Sequence, residues 1–254
     1  MTLGPRSTSP FQQNRVTEAV ILMAGSGSRL RGADKPFLKP MVPVLGRPLI
    51  SYTIDALVKA GTRKINAVIG FEGQRLSAAV VRLIPSGSEF CIIKNPEWQK
   101  QNGVSLLTAA KRVEAPFVLA MSDHLFDPVI LERLIESADP SQLNVAIDRK
   151  IDSIFDLDDA MKVQTHGDRI VAIGKTLKEY DAVDIGLFIC PREIFDYLER
   201  SKLNGDCSLA DGVRAMAEDQ KVRAIDIGEA WWQDVDTPEM LHQAEEKLRD
   251  HARN

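Results

Sequence analysis

A glycine-rich loop followed by basic residues is the part of this sequence best suited to chemistry. The apolar stretch Ala19–Ala24 leads into Gly25-Ser26-Gly27-Ser28, and Arg29 and Lys39 follow. A glycine loop after a strand exposes backbone N–H groups that bind phosphate. Arg and Lys add the positive charge that a polyphosphate requires. This segment therefore predicts a polyphosphate site.

Two common phosphate motifs do not fit this loop. The third glycine of G-x-G-x-x-G would fall on Leu30, and no G-K-[ST] follows at the distance of a P-loop. The segment matches a different signature, L-x-A-G-x-G-x-R-L followed by K-P. In this sequence its members are Leu22, Ala24, Gly25, Gly27, Arg29, Leu30, Lys39 and Pro40.

Carboxylates follow two later apolar stretches. Asp123 comes directly after the predicted strand Pro116–Met121, and Asp234 and Asp236 precede the last predicted helix. Ligands in open α/β sheets bind beyond the carboxyl ends of strands, so Asp123 is expected to face the crevice of the glycine loop. Such carboxylates suit Mg²⁺, which takes few protein ligands and many phosphate oxygens. The alternative for each aspartate is a turn or a helix cap. His124 is interpreted as a structural histidine.

Asp184 interrupts an apolar strand in the second half of the chain. An isolated buried charge is costly, so this carboxylate must be paired or bound to a ligand. Hydrogen bonding to the hydroxyls of a substrate and a buried salt bridge remain equal alternatives. Arg149 is a further candidate for contact with the same substrate. The acidic run Asp152–Asp159 is interpreted as a solvated loop.

The elements that must position these residues alternate between strand and helix. Apolar runs and amphipathic segments follow one another up to about residue 147, which implies a mainly parallel sheet covered on both faces. The predicted helices of this part include Ser105–Val113 and Pro128–Ser137, the second with Asp127 as its cap. A hairpin over Met161–Ile173 and a strand Val183–Cys190 follow, with helices over Arg192–Arg200, Leu209–Glu218 and Pro238–His251. We predict a leader over residues 1–17 and one domain over 18–254.

Composition narrows the class of protein. The 254 residues are 44% hydrophobic and 27% charged, as in soluble globular proteins. A net charge of −4 argues against a broad nucleic-acid surface. The three cysteines are sparse and lack metal-site spacing, which suits a reducing cytoplasm. No apolar run is long enough to insert into a membrane.

The signature resembles that of the nucleotidyltransferases that make activated sugars and alcohols. Four further segments resemble the branch of cytidylyltransferases that act on inositol 1-phosphate: QNGVSLLTAA, MSDH, AIGKTLKEYDAVDIGLF and WWQDVDTPE. The resemblance implies a Rossmann-like, GT-A-like α/β fold with a mainly parallel mixed sheet flanked by helices. It also implies Mg²⁺-dependent transfer of a cytidylyl group from CTP to inositol 1-phosphate, giving CDP-inositol and pyrophosphate.

The same resemblance implies roles for individual residues. Arg29 and the loop amides, Ser26 and Ser28 included, would hold the β- and γ-phosphates, and Lys39 would stabilise charge on the α-phosphate and leaving group. Lys175 resembles the lysine that holds the acceptor phosphate. The N-terminal half of the domain would bind the nucleotide, and the part from about 140 onward would bind the acceptor. Asp123 with Asp234 or Asp236 would bind the metal. The base and ribose would be contacted by Asn102, Gly103 and Ser105, for which a turn with Ser105 capping a helix is the alternative.

Two other functions stay open at this stage. The same fold could serve a sugar 1-phosphate, phosphocholine or cyclitol phosphate with a different nucleotide. A non-catalytic nucleotide-binding regulator is the other alternative, which the presence of the basic and acidic residues disfavours. In related proteins this domain is often fused to a membrane phosphatidyltransferase, so we expect a separate protein to use the product. The oligomeric state is left open, a homodimer included.

Overall fold

The computed structural model describes residues 16–27 and 38–251. Most of the predicted leader, residues 1–15, therefore lies outside the described residues. Val16 is buried, and the Thr17 carbonyl accepts hydrogen bonds from the backbone N–H groups of Arg63 and Lys64. These two residues already belong to the folded part, ahead of the predicted boundary at residue 18.

Strands and helices alternate through the first half of the described chain, as the sequence predicts. The strands are β1 (Glu18–Met23), β2 (Pro43–Val44), β3 (Arg47–Pro48), β4 (Lys64–Ile69), β5 (Glu89–Lys94), β6 (Phe117–Met121), β7 (His124–Phe126), β8 (Leu143–Asp148), β9 (Lys162–His166), β10 (Arg169–Gly174), β11 (Ala182–Cys190), β12 (Val222–Asp226) and β13 (Trp232–Asp234). The helices are α1 (Leu49–Lys59), α2 (Gly73–Val80), α3 (Asn102–Leu107), α4 (Pro128–Ser137), α5 (Ile194–Ser201), α6 (Leu209–Glu218) and α7 (Pro238–His251), with 3₁₀ turns at Lys39–Met41, Val81–Leu83 and Ile151–Ser153.

Within the described residues, the main sheet has nine strands in the order β5-β4-β1-β6-β11-β8-β12-β10-β9. β10 and β11 run opposite to the rest, and β9 also pairs with β11. The predicted mainly parallel mixed sheet is therefore confirmed. Two small sheets, β7 with β13 and β2 with β3, lie beside it.

Both faces of the sheet are covered, which explains why its central strands are apolar without alternation. All six residues of β1 are buried. Val20 and Leu22 pack into one core with α3, α5 and α6, whereas Ile21 and Met23 pack into a second core with α1, α2 and α4. Since successive side chains of a strand point to opposite faces, these two cores lie on the two sides of the sheet.

Helix boundaries follow local signals where such signals exist. Pro128 begins α4, and the Asp127 side chain accepts a hydrogen bond from the Val129 backbone N–H at 3.0 Å, which confirms the predicted cap. The predicted helix Ser105–Val113 was wrong in its bounds: α3 begins at Asn102 and ends at Leu107. Beyond Leu107 the chain continues in tighter turns, with the Arg112 N–H bonded to the Ala109 carbonyl.

No helix in the described ranges combines the length and the apolar character needed to cross a membrane.

Candidate active site

A cavity of about 350 Å³ opens at the carboxyl ends of β1 and β6. Its lining brings together most of the predicted nucleotide-site residues that the structure describes: Leu22, Ala24, Gly25, Ser26, Gly27, Lys39, Asn102, Ser105, Asp123 and Asp236. Gly27 has a φ of +59°, and a Cβ at this position would overlap the side chain of Lys39. Glycine is therefore needed for the loop to lie against this lysine.

One ammonium group joins the two acidic regions. Lys39 Nζ lies 2.6 Å from Asp123 Oδ2 and also contacts Asp236 Oδ1. These residues are 84 and 197 positions from Lys39 in the chain, so only the fold brings them together. The other Asp123 oxygen, Oδ1, lies 2.7 Å from Nδ1 of His124. The carboxylate of Asp123 is therefore held from both sides.

Charge in this cluster is fixed by the partners rather than by solvent. Burial alone would lower the pKa of Lys39, but Asp123 and Asp236 outweigh it and raise that pKa above its ordinary value. Burial would raise the pKa of Asp123, but Lys39 and then His124 outweigh it and hold that pKa far below the usual range. Both groups are consequently charged at neutral pH.

The small sheet of β7 and β13 decides which of the two C-terminal aspartates reaches this cluster. His124 is paired with Asp234 in the ladder, and the Val235 N–H donates to the Asp123 carbonyl at 2.8 Å. The next residue, Asp236, is buried and contacts Lys39. Asp234 instead lines a neighbouring cavity and accepts a 3.1 Å bond from the Gln233 side chain. Asp236 is thus the one that shares a cation with Asp123.

The neighbouring cavity has a volume of about 210 Å³ and shares Asn102, Met121 and Asp236 with the first. The predicted acceptor residues Lys175 and Asp184 line it. A ligand in this cavity therefore lies next to a ligand in the first, with Asp236 at the boundary between them. The arrangement is suited to a transfer between two bound molecules.

Lys175 and Asp184 have different surroundings in this second cavity. Lys175 Nζ lies 2.5 Å from Asp159 Oδ1, so the acidic run contributes to the cavity and the prediction of a merely solvated loop was wrong. Burial raises the pKa of Asp184 to about 7, although the Gly186 N–H, which donates to Oδ1 at 2.8 Å, acts in the opposite direction. No salt bridge of Asp184 is found within the described residues, which favours the ligand alternative.

The segment predicted to contact the base is tied to the N-terminus of α6. Asn102 Oδ1 accepts a 2.8 Å bond from the Leu209 N–H, which leaves the donor side of this amide to offer to a ligand. A Cβ on Gly103 would come within 2.7 Å of the Ser208 carbonyl oxygen. Ser105 is buried inside α3, where its hydroxyl accepts a 2.9 Å bond from the Asn95 side chain. Ser105 therefore does not cap a helix.

Arg149 does not line either cavity. Its guanidinium lies 2.5 Å from Asp181 Oδ2 and 3.3 Å from Asp226 Oδ2, and it donates to the Thr165 hydroxyl at 3.0 Å. These partners on neighbouring strands and the loop before β11 satisfy the guanidinium. Contact of Arg149 with the acceptor stays a prediction, and in the structure this side chain is held by Asp181, Asp226 and Thr165 instead.

Two predicted residues, Ser28 and Arg29, lie outside the described residues. The structure adds others that the sequence did not single out for a role at the site. The His124 ring stacks on Trp232 with 5.8 Å between centroids and 9° between planes, and Trp232 Nε1 donates to buried Asp148. In the sequence, a role for these two residues was indicated only by their positions: His124 follows Asp123, and Trp232 precedes the acidic segment Asp234–Asp236.

Asp123 and Asp236 form a donor set that fits a magnesium ion. Among the described residues, no group of three or more His, Cys, Asp or Glu side chains could hold a metal by itself. Mg²⁺ does not need such a group, because it is usually bound by one or two carboxylates together with water and substrate phosphates. Two carboxylates already converge on one cation, Lys39, at the edge of the phosphate-type loop.

Comparison with known proteins finds relatives that match over most of this chain. A bifunctional IPC transferase and DIPP synthase of Rubrobacter xylanophilus is 33% identical over 232 residues, which cover 91% of this chain and 51% of the relative. The protein of that name from Thermococcus kodakarensis is 36% identical over 234 residues, covering 91% and 50%. The chain thus spans about half the length of these curated relatives.

A solved structure and a family model agree with these relatives. The inositol-1-phosphate CTP transferase from T. maritima matches with a TM-score of 0.83 and 27% identity, over 92% of this chain and 95% of that one. The sequence model of the MobA-like NTP transferase domain matches residues 19–225. This chain therefore belongs to the family of MobA-like NTP transferase domains.

Proposed function

We propose that this chain transfers a cytidylyl group from CTP to inositol 1-phosphate, which gives CDP-inositol and pyrophosphate. The observation that carries the proposal is the Lys39–Asp123–Asp236 cluster at the junction of two adjoining cavities. The likeness to the T. maritima inositol-1-phosphate CTP transferase supports the choice of nucleotide and acceptor. The names of the two bifunctional relatives, which contain IPC transferase, agree with it.

The nucleotide would occupy the larger of these two cavities. Residues 25–27 and Lys39 line this space, and their backbone N–H groups and the ammonium would bind the phosphates. Arg29 would add a further positive charge to the same loop. The donor side of Asn102 would bond to an acceptor atom of the base, since its oxygen is held by the Leu209 N–H.

Mg²⁺ would be held by Asp123 and Asp236. When bound, it would supply positive charge that offsets the repulsion between the triphosphate and the acceptor phosphate. Lys39 would then share the two carboxylates with the ion, and its ammonium would also be available to the phosphates. His124 keeps the Asp123 carboxylate in place by its 2.7 Å contact with Oδ1.

The acceptor would occupy the smaller cavity, next to the cluster. Its phosphate would compete with Asp159 for Lys175, whose ammonium already lies at the wall of this space. Asp184 would bond to the hydroxyls of the acceptor, which relieves the cost of burying a carboxyl group that has no charged partner among the described residues.

The chemical step needs position and charge more than proton transfer. An oxygen of the acceptor phosphate forms a bond to the α-phosphorus, and the bond from that phosphorus to the bridging oxygen of the β-phosphate breaks. The electron pair leaves with pyrophosphate. Because the nucleophile is already an anion, no general base is required, and catalysis depends on alignment and on the positive charges of Lys39, Lys175 and the loop.

The division of the chain into two halves is part of the same proposal. The larger cavity is lined mainly by residues before about 140 and the smaller one mainly by later residues, with Asp236 serving both. A cytoplasmic location suits the three cysteines, which form no disulfide in the structure. We also propose a homodimer and use of the product by a membrane phosphatidyltransferase.

Pyrophosphate release tests the proposed function directly. CTP, UTP, dTTP, GTP and ATP are each combined with inositol 1-phosphate, glucose 1-phosphate or phosphocholine in the presence of Mg²⁺. Release with CTP and inositol 1-phosphate alone, abolished by EDTA and strongly reduced in Lys39→Ala, is the expected result. Release with another pair would overturn the assignment of CTP and inositol 1-phosphate as substrates, but it would agree with the proposed mechanism of transfer. If folded protein that binds CTP releases no pyrophosphate with any pair, the result would favour a non-catalytic nucleotide-binding regulator.

A further inference from the structure

Lys162 is a buried lysine whose bonds go to main-chain carbonyls of two separate segments. Its Nζ donates to Leu157 O at 2.8 Å, to Asp158 O at 3.3 Å and to Lys175 O at 2.9 Å. An ammonium group has three N–H donors, so these carbonyls account for all of them. The side chain therefore connects the segment before β9 with the residue that follows β10.

The position of Lys162 in the sheet explains how one side chain reaches both segments. It is the first residue of β9 and is paired with Gly174 of β10 and with Val183 of β11. Three strands thus meet at this residue. One residue earlier, the Met161 carbonyl accepts a 2.8 Å bond from the Asp184 N–H.

The two connected segments form one wall of the smaller cavity. Asp159 lies next to the Leu157–Asp158 carbonyls, and Lys175 supplies the third carbonyl. Both Asp159 and Lys175 line the cavity and contact each other at 2.5 Å. Any shift of either segment would therefore displace the Lys175 ammonium relative to Asp184 across the same cavity.

We propose that Lys162 is a positioning residue for the acceptor: it fixes the Lys175 segment against the 157–159 segment, and thereby sets where the acceptor phosphate is held. The inference rests on the proposed function for the identity of the acceptor. Lys162 does not line either of the two cavities, so it acts through the backbone of Lys175 and not by contact with substrate.

The chemistry of the partners explains why a lysine is used here. A long side chain that ends in three N–H groups can donate to carbonyls from two directions at once. Methionine of similar length would fill the same volume but would leave these carbonyls without the donor. The segments would then separate or admit water, while the nucleotide cavity at β1 and β6 would be unaffected.

Steady-state kinetics separates this role from a purely structural one. In Lys162→Met, the KM for inositol 1-phosphate should rise about tenfold or more, as for lost supporting contacts in other sites. The KM for CTP should stay within about twofold of wild type. Lys162→Gln keeps two N–H donors, so its KM for inositol 1-phosphate should lie between those of wild type and Lys162→Met. Lys111→Met serves as the control for the loss of a lysine, because Lys111 is exposed and lines neither cavity.

Hydrogen–deuterium exchange on the ligand-free protein gives a readout that does not depend on activity. Lys162→Met should exchange faster over residues 154–161 and 175–181, with β1 and β6 unchanged. A variant with a lower Tm but unchanged KM values would overturn the positioning role, as would an equal rise of both KM values. If wild type fails to use inositol 1-phosphate, the proposed function falls, and unchanged exchange in Lys162→Met would separately overturn the role of Lys162.

Discussion

Replacing Lys39 by methionine tests the cluster at the centre of the site. The substitution removes the cation that Asp123 and Asp236 share and leaves two carboxylates facing each other. Breaking a buried pair by removing one partner costs about 3–5 kcal/mol. The Asp123 side chain is 27% exposed, so we discount this to about 2–4 kcal/mol. For a chain of this size, that corresponds to a Tm lower by about 4–16 °C.

Thermal unfolding with and without Mg²⁺ is the assay. Two carboxylates without Lys39 should bind a divalent cation more readily, so Mg²⁺ should raise the Tm of Lys39→Met by more than that of wild type. Pyrophosphate release by the variant should fall by at least ~10²-fold, the scale of losing one preorganised charge at a reacting phosphate. Loss of Arg29 should have an effect of similar size.

Lys59→Met provides the control, because Lys59 lies 3.4 Å from Glu132 in an exposed ion pair. Such a pair contributes about 0–1 kcal/mol, so the control should keep its Tm and its turnover. The reasoning about the cluster is refuted if both variants lose the same stability. It is also refuted if Mg²⁺ shifts the Tm of wild type and Lys39→Met equally, since the carboxylates would then not be competing for a cation.

Three further outcomes are expected. Asp236→Asn should lose turnover by about 10²-fold and Asp234→Asn by much less; equal losses in pyrophosphate release would contradict the assignment of Asp236. Gly103→Ala should cost about 1–3 kcal/mol of unfolding free energy, because its Cβ would overlap the Ser208 carbonyl; denaturant melts check this, and wild-type stability would show that α3 can move. Burial raises the pKa of Asp184 from 3.8 to about 7, so its folded state retains the proton and stability declines as pH rises between these values; Asp184→Asn should flatten that decline in melts from pH 4 to pH 8.

Elements with local signals could be predicted closely from the sequence. The bounds of α4, α6 and α7 match the predicted ones, and the first two of these helices carry side-chain caps, Asp127 and Ser208. The loop that follows β1 was also placed correctly, because a continuous apolar strand ending in glycines has a strong local pattern. Prediction succeeded where the stabilising partner lies within a few residues.

Elements that depend on distant partners could not be predicted. The strands β7 and β13 have three residues each, too few for a period to appear. Their pairing nevertheless decides that Asp236, and not Asp234, meets Asp123. Arg149 illustrates the same limit, since Asp181 and Asp226 satisfy it from positions 32 and 77 residues further along the chain. The Lys162 contacts depend on three strands meeting, which no local pattern reveals.

The pairing of β7 with β13 affects the order in which the sheet and the catalytic site form during synthesis. Every strand of the nine-stranded sheet in the described residues precedes residue 227, whereas Asp236 follows β13. During synthesis, the sheet can be complete while the carboxylate that shares Lys39 is still absent. The site would therefore form after the sheet, and a nascent or truncated chain ending before β13 would have the sheet without the site. Activity in this protein would report synthesis beyond β13 rather than collapse of the core.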